Sequence, residues 1–133
     1  MCIRDRHIVE YPYIIEAPDD EDISKFIFTP CTKSSCGKAK ESSICLTDKN
    51  NDDTNCGDVD KGTWKLIDTK PPYSFTVQYR GGTCDGTQCT SAKFTFKASE
   101  TTQSTKIEYI KHDNKGTGEI YHFDVVGLSL IQI

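Results

Sequence analysis

The sequence predicts an all-β, disulfide-bearing domain of antiparallel strands, and three observations carry that prediction. Residues 73–98 hold two alternating runs. In the first, Tyr73, Phe75, Val77 and Tyr79 interleave with Ser74, Thr76, Gln78 and Arg80; in the second, Phe94 and Phe96 interleave with Lys93, Thr95 and Lys97. Period-2 alternation is the mark of a strand with one face buried. Between the runs, Gly81-Gly82 and Asp85-Gly86 supply the backbone freedom for a reversal, and Cys84 and Cys89 sit close enough to close the loop, so a hairpin stapled by sulfur is expected. Finally, no helix-period segment of useful length and no internal repeat occurs.

The remaining elements follow in order. Residues 8–16 read as an edge strand, because Pro12 removes a donor and is excluded from a sheet centre. The acidic run at 19–22 reads as a linker. Residues 23–28 form a short strand running into Pro30-Cys31, and the small, polar residues 32–43 form a loop or hairpin tip carrying Cys36. Ile44-Cys45-Leu46 is a brief apolar run. Residues 48–60, rich in Asp, Asn and Gly, are expected to form a long exposed loop pinned by Cys56. Trp64, Leu66 and Ile67 mark the next strand. After the stapled hairpin and a Ser/Thr/Gln-rich turn at 99–105 comes a final strand pair, 106–111 and 119–125, joined by a polar turn that His112 opens.

Composition bounds the class. A chain of 133 residues is one domain that buries only about two-thirds of its unfolded surface. Its 35% hydrophobic content is below the usual ~45%, so cross-links are expected to supplement the core. Six of the seven cysteines lie between Cys31 and Cys89, a disulfide framework whose connectivity sequence alone leaves open. Zinc is disfavoured because no Cys-x2-Cys pair exists. The framework implies an oxidising compartment and hence an exported location. A formal charge of −4 with no basic stripe argues against nucleic acid. No apolar run reaches the ~20 residues of a membrane helix. Residues 1–6 and 127–133 resemble translated sequencing-adapter read-through. Residues 127–133 are expected to be an artefact. Because no signal peptide opens the chain, a fragment is expected, joined to a membrane only through a segment it lacks.

Taken together, Phe26-x-Phe-x-x-Cys31, Ser43-Ile-Cys45, Gly62-Thr-Trp64, Tyr79-x-Gly-Gly-x-Cys84-x-Gly86, Phe94-x-Phe96 and Ile120-Tyr-x-Phe123 resemble a mannose 6-phosphate receptor homology domain over residues 23–126. The resemblance implies a flattened β-barrel or sandwich of two sheets in the secretory, Golgi or endosomal lumen, with domain bounds of 23–126 and 1–22 a leader outside them. Members include glycan-binding receptors, quality-control lectins and sorting proteins of the autophagy-related protein 27 type. Sugar-binding members use a glutamine, an arginine, a glutamate and a tyrosine. Here Leu46 stands where the glutamine is expected and Thr90 where the arginine is, with Lys93 a substitute lacking the bidentate fork. Glu108 is the nearest glutamate, and Tyr121 matches the tyrosine. The resemblance thus implies a degenerate sugar site carried by Tyr121, Glu108 and Lys93. Family cysteines are replaced by Ala98 and Glu119, which favours a local Cys84–Cys89 bridge, with Cys31–Cys45 and Cys36–Cys56 for the remaining four. Expected partners are a glycoprotein or protein cargo, or a mannose-type glycan. The alternatives are a functional mannose or mannose 6-phosphate lectin, and an unrelated secreted adhesin or inhibitor.

No constellation points to catalysis or to a cofactor. Gly-x-Ser-x-Gly, His-Glu-x-x-His and a phosphate-cradling loop are all absent. Asp48, Asn50 and Asp52 space oxygen donors like a calcium loop, but Asp53 replaces its glycine and Val59 its bidentate glutamate, leaving a solvated loop as the expectation. His7, His112 and His122 do not form a ligand set, and His122 is expected on the solvent side of its strand. The aromatic set Trp64, Tyr73, Phe75, Tyr79, Phe94, Phe96, Tyr121 and Phe123 is read as core.

Overall fold

The computed structural model describes residues 13–29, 33–37, 41–68, 70, 74–97, 106–114 and 116–126. The strand expected over 8–12, both terminal segments, the turn at 99–105, Tyr73, Cys2 and Cys31 lie outside the described residues. The fold is all-β. A four-stranded antiparallel sheet is built from β1 (Tyr13–Glu16), β2 (Ile23–Phe28), β5 (Ile44–Asp48) and β6 (Asp53–Gly57), in the order β1-β2-β5-β6. Between β2 and β5 the chain forms a small hairpin, β3 (Ser34–Ser35) with β4 (Glu41–Ser42).

A five-stranded sheet packs against the first. It contains β7 (Gly62–Asp68), β8 (Ser74–Tyr79), β11 (Ser91–Lys97), β12 (Lys106–Asn114) and β13 (Glu119–Val126), in the order β12-β13-β11-β8-β7. Strands β9 (Cys84–Asp85) and β10 (Gln88–Cys89) form the stapled turn between β8 and β11. The two alternating runs pair antiparallel as expected, Phe94 opposite Val77 and Phe96 opposite Phe75. The last of the described strands does something the pattern does not reveal: β13 enters between β11 and β12 and runs parallel to β11, with Phe94 opposite Phe123.

The inward side chains of the two sheets form one core. Phe26, Phe28, Ile44 and Leu46 come from the first sheet; Val77, Tyr79, Ala92, Phe94, Phe96, Phe123 and Val125 come from the second. Its centre is a run of rings: Phe28 stacks on Phe94 at 4.2 Å, Phe94 on Phe123 at 4.5 Å, and Phe26 meets Phe123 edge-on at 4.8 Å. Each such ring stabilises the fold by roughly 1.5–3 kcal/mol through burial, and offset or edge contacts add to that. Two glycines let backbones meet where a Cβ has no room. A Cβ on Gly82 would fall 2.3 Å from the Thr90 carbonyl oxygen and 2.7 Å from that of Asn55, where the Gly-Gly segment crosses β6. Gly118 has φ +119° and sits against the Cys89 backbone, whose N–H donates to the Thr117 carbonyl at 2.9 Å. The stapled turn is thereby seated on the β12–β13 turn.

Three expectations are corrected. Residues 53–57 form strand β6, so the expected long loop shrinks to a turn and a short 3-10 segment, Val59–Lys61. The turn chemistry at its start is real: Asp48 Oδ1 accepts hydrogen bonds from the Asn50 and Asp52 N–H groups, and Asn51 has φ 64°. The disulfides differ as well. Cys84 bridges Cys89, but Cys45 bridges Cys36 in place of Cys31, and Cys56 is a free buried thiol in place of a partner for Cys36. The reason is facial. Cys45 alternates with the core residues Ile44 and Leu46 and so points outward, beneath the β3–β4 hairpin that brings Cys36. Cys56 is the extra residue of a bulge, since Ile44 pairs with Gly57 and Cys45 with Asn55, and its thiol joins the core on the other face. Trp64 is also no core residue: at the outer edge of the second sheet it is 61% exposed.

Candidate functional site

The strand register fixes where the three sugar-site candidates point. Phe123 and Val125 are in the core and Tyr121 packs against it, so Tyr121 faces inward. Asp124 and His122 alternate outward. Glu108 lies opposite Asp124 and Lys93 opposite His122, so both project from the outer face of the five-stranded sheet. Glu108 is engaged there by Lys106 Nζ at 2.9 Å. Lys93 forms no ion pair among the described residues. The structure therefore places Tyr121 on one side of the sheet and Glu108 with Lys93 on the other. Leu46, at the expected glutamine position, is buried in the core that Tyr121 packs on. Thr90 is held by its N–H to the Thr83 carbonyl at 2.9 Å, beside the stapled turn.

What surrounds Tyr121 is a different set. On β12, Ile110 is bulged between Tyr109, opposite Phe123, and Lys111, opposite His122. One extra residue reverses the alternation beyond it, which turns His112 inward opposite Tyr121, the rings 5.3 Å apart. His112 Nδ1 lies 3.0 Å from Glu119 Oε2, and its Nε2 lies 3.6 Å from Asp20 Oδ2. The same Asp20 oxygen accepts a hydrogen bond from the Tyr109 hydroxyl at 3.4 Å. Asp20 also caps its own turn, accepting from the Asp22 and Ile23 N–H groups. A groove of about 550 Å3 runs here between residues 16–20 and β12, with Asp20, Tyr109 and His112 in its wall and Glu108 at its rim.

The electrostatics favour neutral phenols. Burial, reinforced by the Asp20 carboxylate, pushes the Tyr109 hydroxyl above its ordinary pKa. Burial raises Tyr121 likewise, with the Glu119 and Asp20 carboxylates adding to it. Cys56, fully buried, is raised by desolvation, which keeps its sulfur a thiol and unreactive. His122 is on the outer face as expected, its Nε2 3.3 Å from Asp113 Oδ2. His112, expected to open a turn, is instead a strand residue inside the Asp20–Glu119 cluster. Sequence reasoning missed that cluster because Asp20 lies in an acidic run indistinguishable from a linker, and because nothing in the local pattern announces the bulge. Among the described residues, no group of His, Cys, Asp and Glu side chains is arranged to hold a metal ion.

Fold and site together define a disulfide-stabilised all-β domain of two facing sheets. No family model matches the chain, and no curated protein is similar enough to match it.

Proposed function

We propose that this domain is a non-catalytic recognition or sorting module of the mannose 6-phosphate receptor homology type, working in the secretory lumen or outside the cell, with its sugar pocket degenerate. The observation that carries the reading is the division of the sugar-site candidates, with Tyr121 inward and Glu108 and Lys93 outward, together with the aliphatic Leu46 packed where an amide is needed. A hydroxyl of mannose meeting Leu46 finds no hydrogen-bond partner, and with Thr90 in place of the arginine a charged partner is lost as well, which costs about 1.5–3 kcal/mol, a large share of any monosaccharide affinity. The two disulfides support an oxidising compartment. A glycoprotein or protein cargo is then recognised through polypeptide surface. Glycan-array binding competed by mannose and mannose 6-phosphate tests this. No sugar-competable signal is expected, and competable binding lost in Tyr121→Phe would overturn the reading in favour of a working lectin.

A further inference from the structure

The outer edge of β7 carries chemistry that the sugar-site question leaves untouched. This strand ends the five-stranded sheet and projects beyond the four-stranded one: all seven of its residues are exposed. Trp64 lies opposite Val77 and Leu66 opposite Phe75, so both side chains are on the core-facing side of the sheet but uncovered, 61% and 44% exposed. They extend the core as a ledge, because Trp64 meets Phe75 edge-on at 6.1 Å and Phe75 stacks on Phe96 at 4.8 Å.

Among the described residues, the backbone of this edge is also unpaired. Arg80 N–H donates to the Lys61 carbonyl at 3.2 Å, and these residues are directly opposite in the β7–β8 register. Antiparallel bonding alternates along a strand, so Thr63 and Lys65 bond inward to β8. The N–H and C=O groups of Trp64 and Leu66 then point out of the sheet. Between those two open residues stands Lys65, exposed on the opposite face and in no ion pair among the described residues.

We propose that β7 takes up an extended segment of a partner protein as a sixth strand, and that the segment reads apolar–acidic–apolar. The two apolar residues lie over Trp64 and Leu66 and exchange main-chain hydrogen bonds with them, and the acidic residue faces Lys65. Strand addition of this kind draws affinity from the backbone and selectivity from alternate side chains. In the twofold pairing that sets Trp64 against Leu66 of another copy, Lys65 faces itself, and like charges directly opposite are destabilising, so in this register Lys65 favours an acidic partner segment over a second copy. The inference goes beyond the sorting-module reading and stands on β7 alone.

Trp64 is the chain's single tryptophan, so its emission reports on this edge directly. The full chain is titrated with the capped peptide Thr-Val-Glu-Val-Thr, with its Thr-Val-Lys-Val-Thr counterpart, and with the glutamate peptide N-methylated at both valines. A blue-shifted, saturable Trp64 response is expected from the glutamate peptide. Binding at least tenfold weaker is expected from the lysine peptide, and none from the methylated one. Lys65→Glu, an exposed substitution, is expected to invert the preference. Equal binding of the two charged peptides, persistence of binding after methylation, no response from any peptide, or sedimentation showing the edge paired in a homodimer would each overturn the proposal.

Discussion

Removing Cys36 and Cys45 together, and Cys56 separately, separates the observed sulfur pairing from its alternatives by magnitude. The Cys36–Cys45 bridge closes a loop with a sequence separation of 9. By the chain-entropy relation, such a loop stabilises the folded state by roughly 2.6 kcal/mol at 25 °C. Cys36→Ala/Cys45→Ala is therefore expected to lose at least that, since both sulfurs are also buried, and to lower the urea midpoint by about 1–2 M. Cys56 is a thiol packed as a small apolar side chain, its Sγ 3.7 Å from the Thr54 carbonyl. Cys56→Ala deletes one buried heavy atom, a loss of about 1 kcal/mol on the scale of a methylene. Urea unfolding followed by circular dichroism reads both, and non-reducing peptide mapping reads the bonds. A Cys36–Cys56 peptide, or a Cys56→Ala loss as large as that of the double variant, would refute the argument that Cys45 and Cys56 lie on opposite faces of the first sheet.

Other outcomes follow from the packing and the charges. Phe94→Ala removes the ring shared by Phe28, Tyr79 and Phe123 and is expected to cost about 3–5 kcal/mol, read as a fall in the urea midpoint. Gly118→Ala forces a Cβ to within 2.1 Å of the Cys89 carbonyl oxygen at φ +119°; a loss of about 1–3 kcal/mol is expected, with faster amide exchange at Cys89. For Asp58, burial opposes ionisation, but hydrogen bonds from the Asp60 N–H and from Lys33, at 3.1 Å, outweigh it and hold the carboxyl below its ordinary value. Its stabilisation is thus full above the unfolded pKa near ~3.9 and is lost as pH falls through the lower folded value. Asp58→Asn is expected to flatten the acid limb of the stability–pH curve below about pH 4, measured by urea midpoints.

Legibility in the sequence followed from which forces act locally. Alternation along 73–98 encodes which side chains are buried, so β8, β11 and the stapled turn between them could be read directly. Strand order is set by contacts far apart in the chain, and nothing in Glu119–Val126 says that it inserts beside β11 and runs parallel to it. Strand β6 was hidden because its Asp, Asn and Gly residues signal turns, whereas what holds it is main-chain pairing with β5 and the close crossing at Gly82. Trp64 was misplaced because period-2 reasoning gives a side chain's face but not whether the opposing sheet reaches far enough to cover it. At the candidate site, Tyr121 fell on the expected strand. Uninterrupted alternation would have set Glu108 and His112 on the same face; the bulge at Ile110 sends one outward and the other toward Asp20 and Glu119.

Because β13, the last of the described strands in sequence, occupies an interior place in its sheet, the core closes only once that strand is in position. Until residues 119–126 arrive, Phe26 and Phe94 lack the Phe123 ring that spans them, and β11 presents a bare side on which another chain could template. Strand β13 follows every other described strand in sequence, so during N-to-C synthesis those strands wait on it to close the core. Early termination upstream of residue 119 would accordingly release not a smaller domain but an open, adhesive sheet.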